Sequence, residues 1–425
     1  MAGRAASAMQ WRSFMTAHSP QLLARIARDF GTPCWVYDAP TIRRQIARLR
    51  RFDVIRFAQK ANSNVHLLRL MKSEGVQVDA VSLGELERAL TAGFAPQGDP
   101  APIVLTSDLL DRATLARVAE LGVPVNVGSP QMLEQLAQVS PGHSVWIRIN
   151  PGFGHGHSKK TNTGGEQSKH GIWHEELAGS LALIQRLGLT LSGFHMHIGS
   201  GVDYSHLSSV CDAMVQQVKR HGCDLHAISA GGGLSIPYQG NEAAVDTDHY
   251  FELWDRARQE IAGHLGHAVQ LEIEPGRFLV AESGCLLSEL RAKKRVGANE
   301  FILVDAGFND LMRPAMYGSF HRISVLAPDG EARTGAVHPT VVAGPLCESG
   351  DVFTQESGGE VVPRGLPAGE IGDWVVFHDA GAYGSSMSSN YNSRPLAPEV
   401  LVDGDQVKLI RRRQRTDELI GLENV

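Results

Sequence analysis

Four groups of polar residues and glycines follow short apolar runs in this sequence, and their types could do chemistry. They are Lys60 after 54–58, His195, His197 and Ser200 within and after 191–198, Gly231, Gly232 and Gly233 after 226–230, and Glu274, Pro275, Gly276 and Arg277 at the end of 270–274. The active sites of parallel α/β proteins form where the strands end. We therefore expect these four groups to lie together on one rim of a parallel sheet.

The residue types in these groups fit a phosphorylated aldehyde cofactor. Three consecutive glycines let backbone N–H groups approach a phosphate, although an ordinary flexible turn would also explain them. A lysine beside a phosphate site predicts a Schiff base between Lys60 and pyridoxal phosphate. The carboxylate of Glu274 could then pair with the pyridine nitrogen and keep it protonated. Such pairing makes the ring a strong electron sink.

The elements that must position these groups alternate between short strands and longer helical patterns. Helical spacing occurs at 66–75, 85–94 and 249–265. Eight strand-like runs occur at 54–58, 78–82, 103–107, 125–129, 145–149, 191–198, 226–230 and 270–274. Eight βα units in about 240 residues predict a (β/α)8 barrel, with a doubly wound sheet as the alternative.

The pattern of the sequence changes after about residue 280. Short strand-like runs broken by Gly, Pro and Asp follow, and they predict an all-β domain of the sandwich or barrel type over 281–425. The barrel is expected over 34–280, although the apolar run 34–38 can belong to either domain. Residues 1–33 contain an amphipathic stretch with a Ser-Pro start and a Gly stop, which predicts a helix packed on the β domain.

The predicted β domain carries further candidates. Cys347 and Glu348 share one Gly-rich turn, where the cysteine is either a small buried hydrophobe or a reactive thiol. Arg313 and Tyr317 are four residues apart, one turn of helix, and arginine can bind a carboxylate in two places. Tyr383 lies in a segment dense in Gly, Ser and Asn, which is either a surface loop or a ligand-binding loop.

Composition excludes several classes of protein. The 425 residues are 43% hydrophobic and 20% charged, which is typical of a folded chain with a substantial core. The net charge of −6 argues against a nucleic-acid binder, whose affinity needs a basic face. No apolar run approaches the ~20 residues of a membrane helix. Five cysteines without a CxxC pair disfavour disulfides and a cysteine zinc site, so we expect a cytoplasmic protein.

These segments, in this order, resemble the fold type III pyridoxal-phosphate decarboxylases, and within them the branch that acts on diaminopimelate. The resemblance extends from about residue 30 to the end. The segments that carry it are FAQKANSN, VDAVSLGELERALTAGF, NPGFGHGHSKKTNTGGEQSKHGIW, HMHIGSGVDY, AGGGLSIPY, EIEPGRFLVAESG, GFNDLMRPAMYGS, VVAGPLCESGDVF and GAYGSSMSSNYNSRP.

The resemblance implies decarboxylation of meso-2,6-diaminopimelate to L-lysine and carbon dioxide, in a homodimer with active sites shared at the subunit interface. It implies that Lys60 holds pyridoxal phosphate covalently and that Cys347 of the partner subunit donates a proton. Cofactor-binding roles fall on Lys60, His197, Ser200, Gly231, Gly232, Gly233, Glu274, Pro275, Gly276, Arg277 and Tyr383. Substrate-binding roles fall on Arg277, Arg313, Tyr317, Glu348 and Tyr383, with His197 stacked on the ring.

Other functions stay open on sequence alone. A racemase on the same barrel is disfavoured by Glu274, because a strong electron sink promotes loss of carbon dioxide. An ornithine- or arginine-type decarboxylase is disfavoured by Arg313 and the turn at Cys347. A pyridoxal-phosphate protein without activity should have lost Lys60 or Cys347. His155 and His157 could bind a metal, but no third ligand at metal spacing is evident, so no metal is expected.

Overall fold

The structure is a computed structural model, and it describes residues 17–154, 164–197, 199 and 203–425. Its strands are β1 Cys34–Asp38, β2 Val54–Ala58, β3 Gln77–Ala80, β4 Ile103–Ser107, β5 Val125–Val127, β6 Ser144–Asn150, β7 Ile172–Trp173, β8 Thr190–His195, β9 Ala227–Ser229, β10 Gln270–Ile273, β11 Gly284–Val296, β12 Asn299–Val304, β13 Ile323–Leu326, β14 Val337–Ala343, β15 Arg364–Pro367, β16 Trp374–Phe377, β17 Glu399–Asp403 and β18 Gln406–Arg411.

The α-helices are shorter and fewer after the first two thirds of the described chain. They are α1 Pro20–Phe30, α2 Ala39–Ala47, α3 Val65–Ser73, α4 Leu83–Ala92, α5 Arg112–Leu121, α6 Pro130–Val139, α7 Leu177–Leu187, α8 Tyr204–His221, α9 Thr247–Leu265, α10 Arg277–Val280, α11 Arg313–Tyr317 and α12 Thr416–Gly421. None of these helices is both long and apolar enough to cross a membrane.

The first sheet is a closed parallel barrel. Its strands follow the order β5-β4-β3-β2-β10-β9-β8-β6, and β5 pairs with β6 to close the ring. All eight predicted strands are present, and closure excludes the doubly wound alternative. The strands read as nearly continuous apolar runs because helices cover the outside and side chains fill the inside.

Charged residues inside two of the barrel strands pair with each other rather than with solvent. Arg56 on β2 donates to both carboxylate oxygens of Glu272 on β10, with Nη2 to Oε2 at 2.9 Å. Both side chains are almost fully buried. The two buried charges stabilise each other, because an unpaired buried charge is costly.

The second sheet is mixed and is built from both ends of the described chain. Its main path is β15-β14-β12-β11-β1-β17-β18, and β16 joins it by pairing with β11 and β13. The predicted barrel followed by a β domain is confirmed. One boundary is corrected: β1 pairs with β11 and β17, so residues 34–38 belong to this sheet and not to the barrel. The run CWVYD is buried on both faces in either setting, so its composition could not distinguish them.

The amino-terminal helix packs on the second sheet. Ser19 accepts the N–H of Leu22 at 3.2 Å and begins α1, and Gly31 ends it with φ 72°. Leu23 and Ile26 join a core cluster with residues of β1, β11 and β17. We propose that residues 17–38 and 281–425 form the β domain and that the barrel ends near residue 280.

Candidate active site

A cavity of about 330 Å³ lies at the carboxyl ends of the barrel strands. Nine of the residues predicted from sequence line it, namely Lys60, His195, His197, Gly232, Gly233, Glu274, Gly276, Arg277 and Tyr383. Gly231 and Pro275 adjoin these lining residues in the chain. The four groups that follow separate strands in the sequence therefore meet at one rim, as the barrel geometry requires.

Lys60 lies on a short 3-10 turn, Gln59–Ala61, directly after β2. The β domain docks a loop on this turn. The N–H of Tyr383 donates to the carbonyl of Ala61 at 2.8 Å, and the hydroxyl of Ser386 donates to the same oxygen at 3.1 Å. Tyr383 adopts φ 57°, a left-handed conformation that non-glycine residues rarely hold. The docked loop thus brings a phenol from the second domain to the barrel cavity.

Glu274 is held as an ionised carboxylate. His195 Nε2 donates to its Oε2 at 2.8 Å, and the hydroxyl of Ser229 donates to its Oε1 at 2.8 Å. Burial alone would raise the pKa of Glu274, but His195, Ser229 and the charge of Arg56 lower it to about 2. A carboxylate that stays charged in a buried cavity is suited to hold a cationic N–H group.

His197 is fixed by the glycine loop. The N–H of Gly232 donates to His197 Nδ1 at 3.1 Å, so the ring proton belongs on Nε2. Burial, with Arg148 and Lys60 nearby, lowers the pKa of His197 well below its usual range, and the imidazole is neutral. Gly231 packs beneath it with φ 60°, and a Cβ there would lie 2.8 Å from that of His197.

Arg277 lines the cavity, whereas Arg313 and Tyr317 are not among its lining residues and Arg313 is linked to Arg277 through a shared tyrosine. Nη1 of each guanidinium donates to the hydroxyl of Tyr238, at 2.9 Å and 3.2 Å respectively. Arg313 and Tyr317 begin and end α11, as their spacing predicted. Burial opposes the charge of Arg277, but nearby phenol oxygens, Tyr238 first and Tyr317 last, raise its pKa. Neither arginine forms an ion pair with a carboxylate among the described residues.

Several cavity residues were missed by sequence reasoning. Asp79 on β3 and Arg148 on β6 are nearly buried and line the cavity. Burial and the charge of Glu274 raise the pKa of Asp79 well above its usual range. Asp108 and His170 also line the cavity and are hydrogen-bonded to each other. The sequence signal that could have identified Asp79 and Arg148 is a charged residue inside an apolar strand, as in the segments VDA and WIRI that contain them.

Cys347 and Glu348 do not line this cavity. The N–H of Cys347 donates to Asn392 Oδ1 at 2.8 Å, and its thiol is exposed. Tyr391 donates to Glu348 at 3.4 Å. Asp351 secures the same turn by accepting the N–H of Leu346 at 2.7 Å. These bonds order the turn, but neither Cys347 nor Glu348 contributes to the cavity of its own chain.

Three predicted residues, Ser200, His155 and His157, lie outside the described residues. Within the described residues, no group of three or more His, Cys, Asp or Glu side chains could hold a metal ion.

Comparison with known proteins agrees with this geometry. Residues 40–281 match the family model described as the pyridoxal binding domain of pyridoxal-dependent decarboxylases. The chain is 68% identical to the diaminopimelate decarboxylase of Streptomyces coelicolor, over 94% of this chain and 91% of the relative. It is 66% identical to that of Escherichia coli K12, over 94% and 96%.

Solved structures give the same result. A crystal structure of a diaminopimelate decarboxylase superimposes with a TM-score of 0.94 at 64% identity, covering 97% of this chain and 98% of that one. The Helicobacter pylori diaminopimelate decarboxylase complexed with L-lysine gives 0.81 at 30% identity, covering 94% and 98%. The barrel and its lysine–carboxylate cavity define a pyridoxal-dependent decarboxylase. Within that class, the chain belongs to the diaminopimelate decarboxylase family, and its cofactor is pyridoxal phosphate.

Proposed function

We propose that this protein converts meso-2,6-diaminopimelate to L-lysine and carbon dioxide, the last step of lysine biosynthesis. The identity of 68% to a curated diaminopimelate decarboxylase carries this proposal. The enzyme is a carboxy-lyase that acts on a small molecule. The site supports the same reaction, because Lys60, the ionised Glu274 and Arg277 line the cavity, and Arg313 shares the hydroxyl of Tyr238 with Arg277.

The residues of the cavity fit the cofactor. Lys60 would hold it covalently, and Glu274, with its pKa lowered to about 2, would hold a proton on the ring nitrogen. The glycine loop follows β9, where barrels of this kind bind phosphate, and Gly232 must be glycine because a Cβ there would lie 2.6 Å from the carbonyl of Glu274. The neutral His197 would pack on the ring. Ser200, Pro275, Gly276, Arg277 and Tyr383 complete the proposed cofactor site.

Pyridoxal phosphate supplies an electron sink for the pair left behind when carbon dioxide departs. The chain's own residues bind the substrate and transfer the proton. The bond from the reacting carbon to its carboxylate breaks, and a proton from the thiol of Cys347 replaces it. The thiolate regains a proton from water.

The distal end of the substrate carries an ammonium and a carboxylate. We propose that Arg313, with Arg277 and Tyr317, binds this carboxylate and that Glu348 binds the ammonium. Arg313 is only 5% exposed and has no carboxylate partner among the described residues. Ornithine would leave this buried cation unpaired, which costs several kcal/mol. The geometry therefore favours diaminopimelate over ornithine or arginine.

We also propose a homodimer with shared active sites. The exposed thiol of Cys347 lies outside the cavity of its own chain, so it would serve the cavity of the partner subunit. A cytoplasmic location is proposed as well. All five cysteines are free thiols, which fits a reducing compartment.

Release of carbon dioxide from purified holoenzyme tests the reaction. The substrates are meso-diaminopimelate, L-ornithine, L-arginine and L-lysine, measured in parallel. We expect release from diaminopimelate alone, with L-lysine as the product. Release from ornithine or arginine would retain the fold and cofactor but overturn the role of the distal site. No release from any of them, with the cofactor bound, would favour a binding protein.

A further inference from the structure

The guanidinium of Arg313 is held in place by two neutral acceptors. Its Nη1 donates to the hydroxyl of Tyr238 at 3.2 Å and to Nε2 of His321 at 3.0 Å. Both hydrogen bonds use the same nitrogen, so Nε and Nη2, on the other edge of the guanidinium, remain for a ligand. That edge is the one that matches the two oxygens of a carboxylate.

His321 is fixed in the tautomer that this contact needs. Its Nδ1 lies 3.0 Å from the backbone carbonyl of His378, which can only accept, so Nδ1 carries the proton. Nε2 is then an acceptor and can face a cation. The side chain is 2% exposed. Burial, with Arg313 and Arg364 nearby, lowers the pKa of His321 well below its usual range and keeps the ring neutral.

Tyr238 joins the two arginines. Its hydroxyl also accepts from Nη1 of Arg277 at 2.9 Å, so one oxygen orients both guanidinium groups. Its ring lies 4.9 Å from the guanidinium carbon of Arg313 and 5.7 Å from that of Arg277. The ring also packs edge-on against His321, with centroids 5.7 Å apart. A phenol and an imidazole thus hold two like charges together without neutralising either.

We propose that Tyr238 and His321 are positioning residues that set the enzyme's preference for a substrate with a distal carboxylate. A carboxylate in either place would hold the arginines equally well but would cancel the charge that the substrate must meet. Neutral acceptors orient the guanidinium groups and leave their charge for the ligand. The inference rests on the proposed role of Arg313 in binding that carboxylate.

The test measures binding of two ligands to the holoenzyme by calorimetry. L-Lysine and pentane-1,5-diamine differ only in the carboxylate, so the ratio of their Kd values reports its recognition. Tyr238→Phe removes the hydroxyl and keeps the ring. His321→Leu removes the acceptor, whereas His321→Gln keeps one acceptor and one donor. Tyr204→Phe is the matched control, because its hydroxyl bonds to the carbonyl of Asp246.

We expect Tyr238→Phe and His321→Leu to lower the preference for L-lysine by about tenfold or more, the effect of losing a hydrogen bond to a charged group. The loss should appear in KM for diaminopimelate more than in kcat. His321→Gln should recover much of the preference, and Tyr204→Phe should retain all of it.

Three results would overturn the inference in different ways. If the wild-type enzyme prefers L-lysine and both variants keep that preference, Tyr238 and His321 do not position the arginines. If the wild-type enzyme shows no preference for the carboxylate, the role of Arg313 itself fails, and the inference fails with it. A uniform loss in kcat, not restored by His321→Gln, would indicate a structural defect instead of positioning.

Discussion

The protonation states of single side chains in and around the cavity are set by the groups that contact them. Glu274 remains ionised because His195 and Ser229 donate to it, and His197 remains neutral because it is buried beside cations. His321 accepts from Arg313 because its other nitrogen donates to a carbonyl. In each case a second group, not the side chain itself, decides the protonation state.

Lys60→Ala is expected to abolish turnover and the visible absorbance of the bound cofactor, because the covalent link is lost. Lys169→Ala provides a matched comparison, since Lys169 is the second lysine lining the same cavity. It should keep the absorbance band of the covalently held cofactor. Absorbance spectra of both purified variants check this. A Lys60→Ala enzyme with wild-type turnover would contradict the assignment.

Glu274 makes stability depend on pH. Its pKa falls from 4.5 to about 2 on folding, so the unfolded chain binds this proton first as the pH falls. The carboxylate therefore stabilises the fold fully above pH 4.5, and this contribution is lost as the pH falls toward about 2. Urea unfolding of wild type and Glu274→Gln without cofactor, at neutral pH and at about pH 3, measures the difference. An advantage of wild type that does not shrink at low pH would refute this.

At the scale of elements, two loops place these side chains at the rim of the barrel. The glycine loop after β9 and the docked loop containing Tyr383 both need left-handed backbone. Gly231 permits it by lacking a Cβ, whereas Tyr383 is held by its hydrogen bond to Ala61. Tyr383 keeps this strained conformation because the loop is hydrogen-bonded before and after it, through the carbonyl of Gly381 to Asn62 and through the hydroxyl of Ser386 to Ala61.

Gly231→Ala should disturb this arrangement. A Cβ there would lie 2.4 Å from the carbonyl oxygen of Met196, and φ is 60°. Gly188→Ala is the control, because φ is 66° but nothing lies within 4 Å of the added Cβ. We expect Gly231→Ala to lose about 1–3 kcal/mol more stability than the control, the cost of overpacking. Thermal unfolding of both variants measures it, and equal losses would show that the close approach is harmless.

Much of the fold could be predicted from sequence, because strand runs and helical patterns alternate with few interruptions. The strands β2 and β4 match the predicted limits, and α1 begins and ends at the predicted Ser and Gly signals. The placement of β1 could not be predicted, since its buried composition suits either sheet. Asp79 and Arg148 were overlooked because a charge within an apolar strand has two explanations, a core ion pair such as Arg56–Glu272 or a cavity residue.

At the scale of the whole molecule, the cavity and the ordered turn at Cys347 are separate features of the chain. The barrel supplies Lys60 and Glu274 to this cavity and the β domain supplies Tyr383, while Arg313 is linked to the cavity residue Arg277 through the hydroxyl of Tyr238. The turn at Cys347 is ordered by Asn392 and Asp351 but does not reach it. This separation is the reason that we propose catalysis by a pair of chains.

Mixing inactive variants tests the shared site. A hybrid of Lys60→Ala and Cys347→Ala subunits would contain one intact site, with Lys60 from one chain and Cys347 from the other. An equal mixture after subunit exchange should recover about a quarter of wild-type activity, because half the dimers are hybrids with one site each. Native mass spectrometry confirms that hybrids form. Hybrids without activity would place both residues of each site on one chain.

A matched mixture controls this experiment. Lys60 and Glu274 line the same cavity of one chain, so hybrids of Lys60→Ala and Glu274→Gln contain no intact site. This mixture should stay inactive under the same conditions. Activity there would mean that exchange restores function by a route other than complementation.

The pairing of β1 also has a consequence for how the chain is made. Trp35 aligns with Leu286 on one side and Glu399 on the other, so the strand's two neighbours are synthesised long after it. The barrel strands, which end at Ile273, can close while β1 still has two open edges. An exposed edge of this kind invites pairing with other chains. Translation that stops before β17 would therefore leave a finished barrel attached to a strand prone to aggregation.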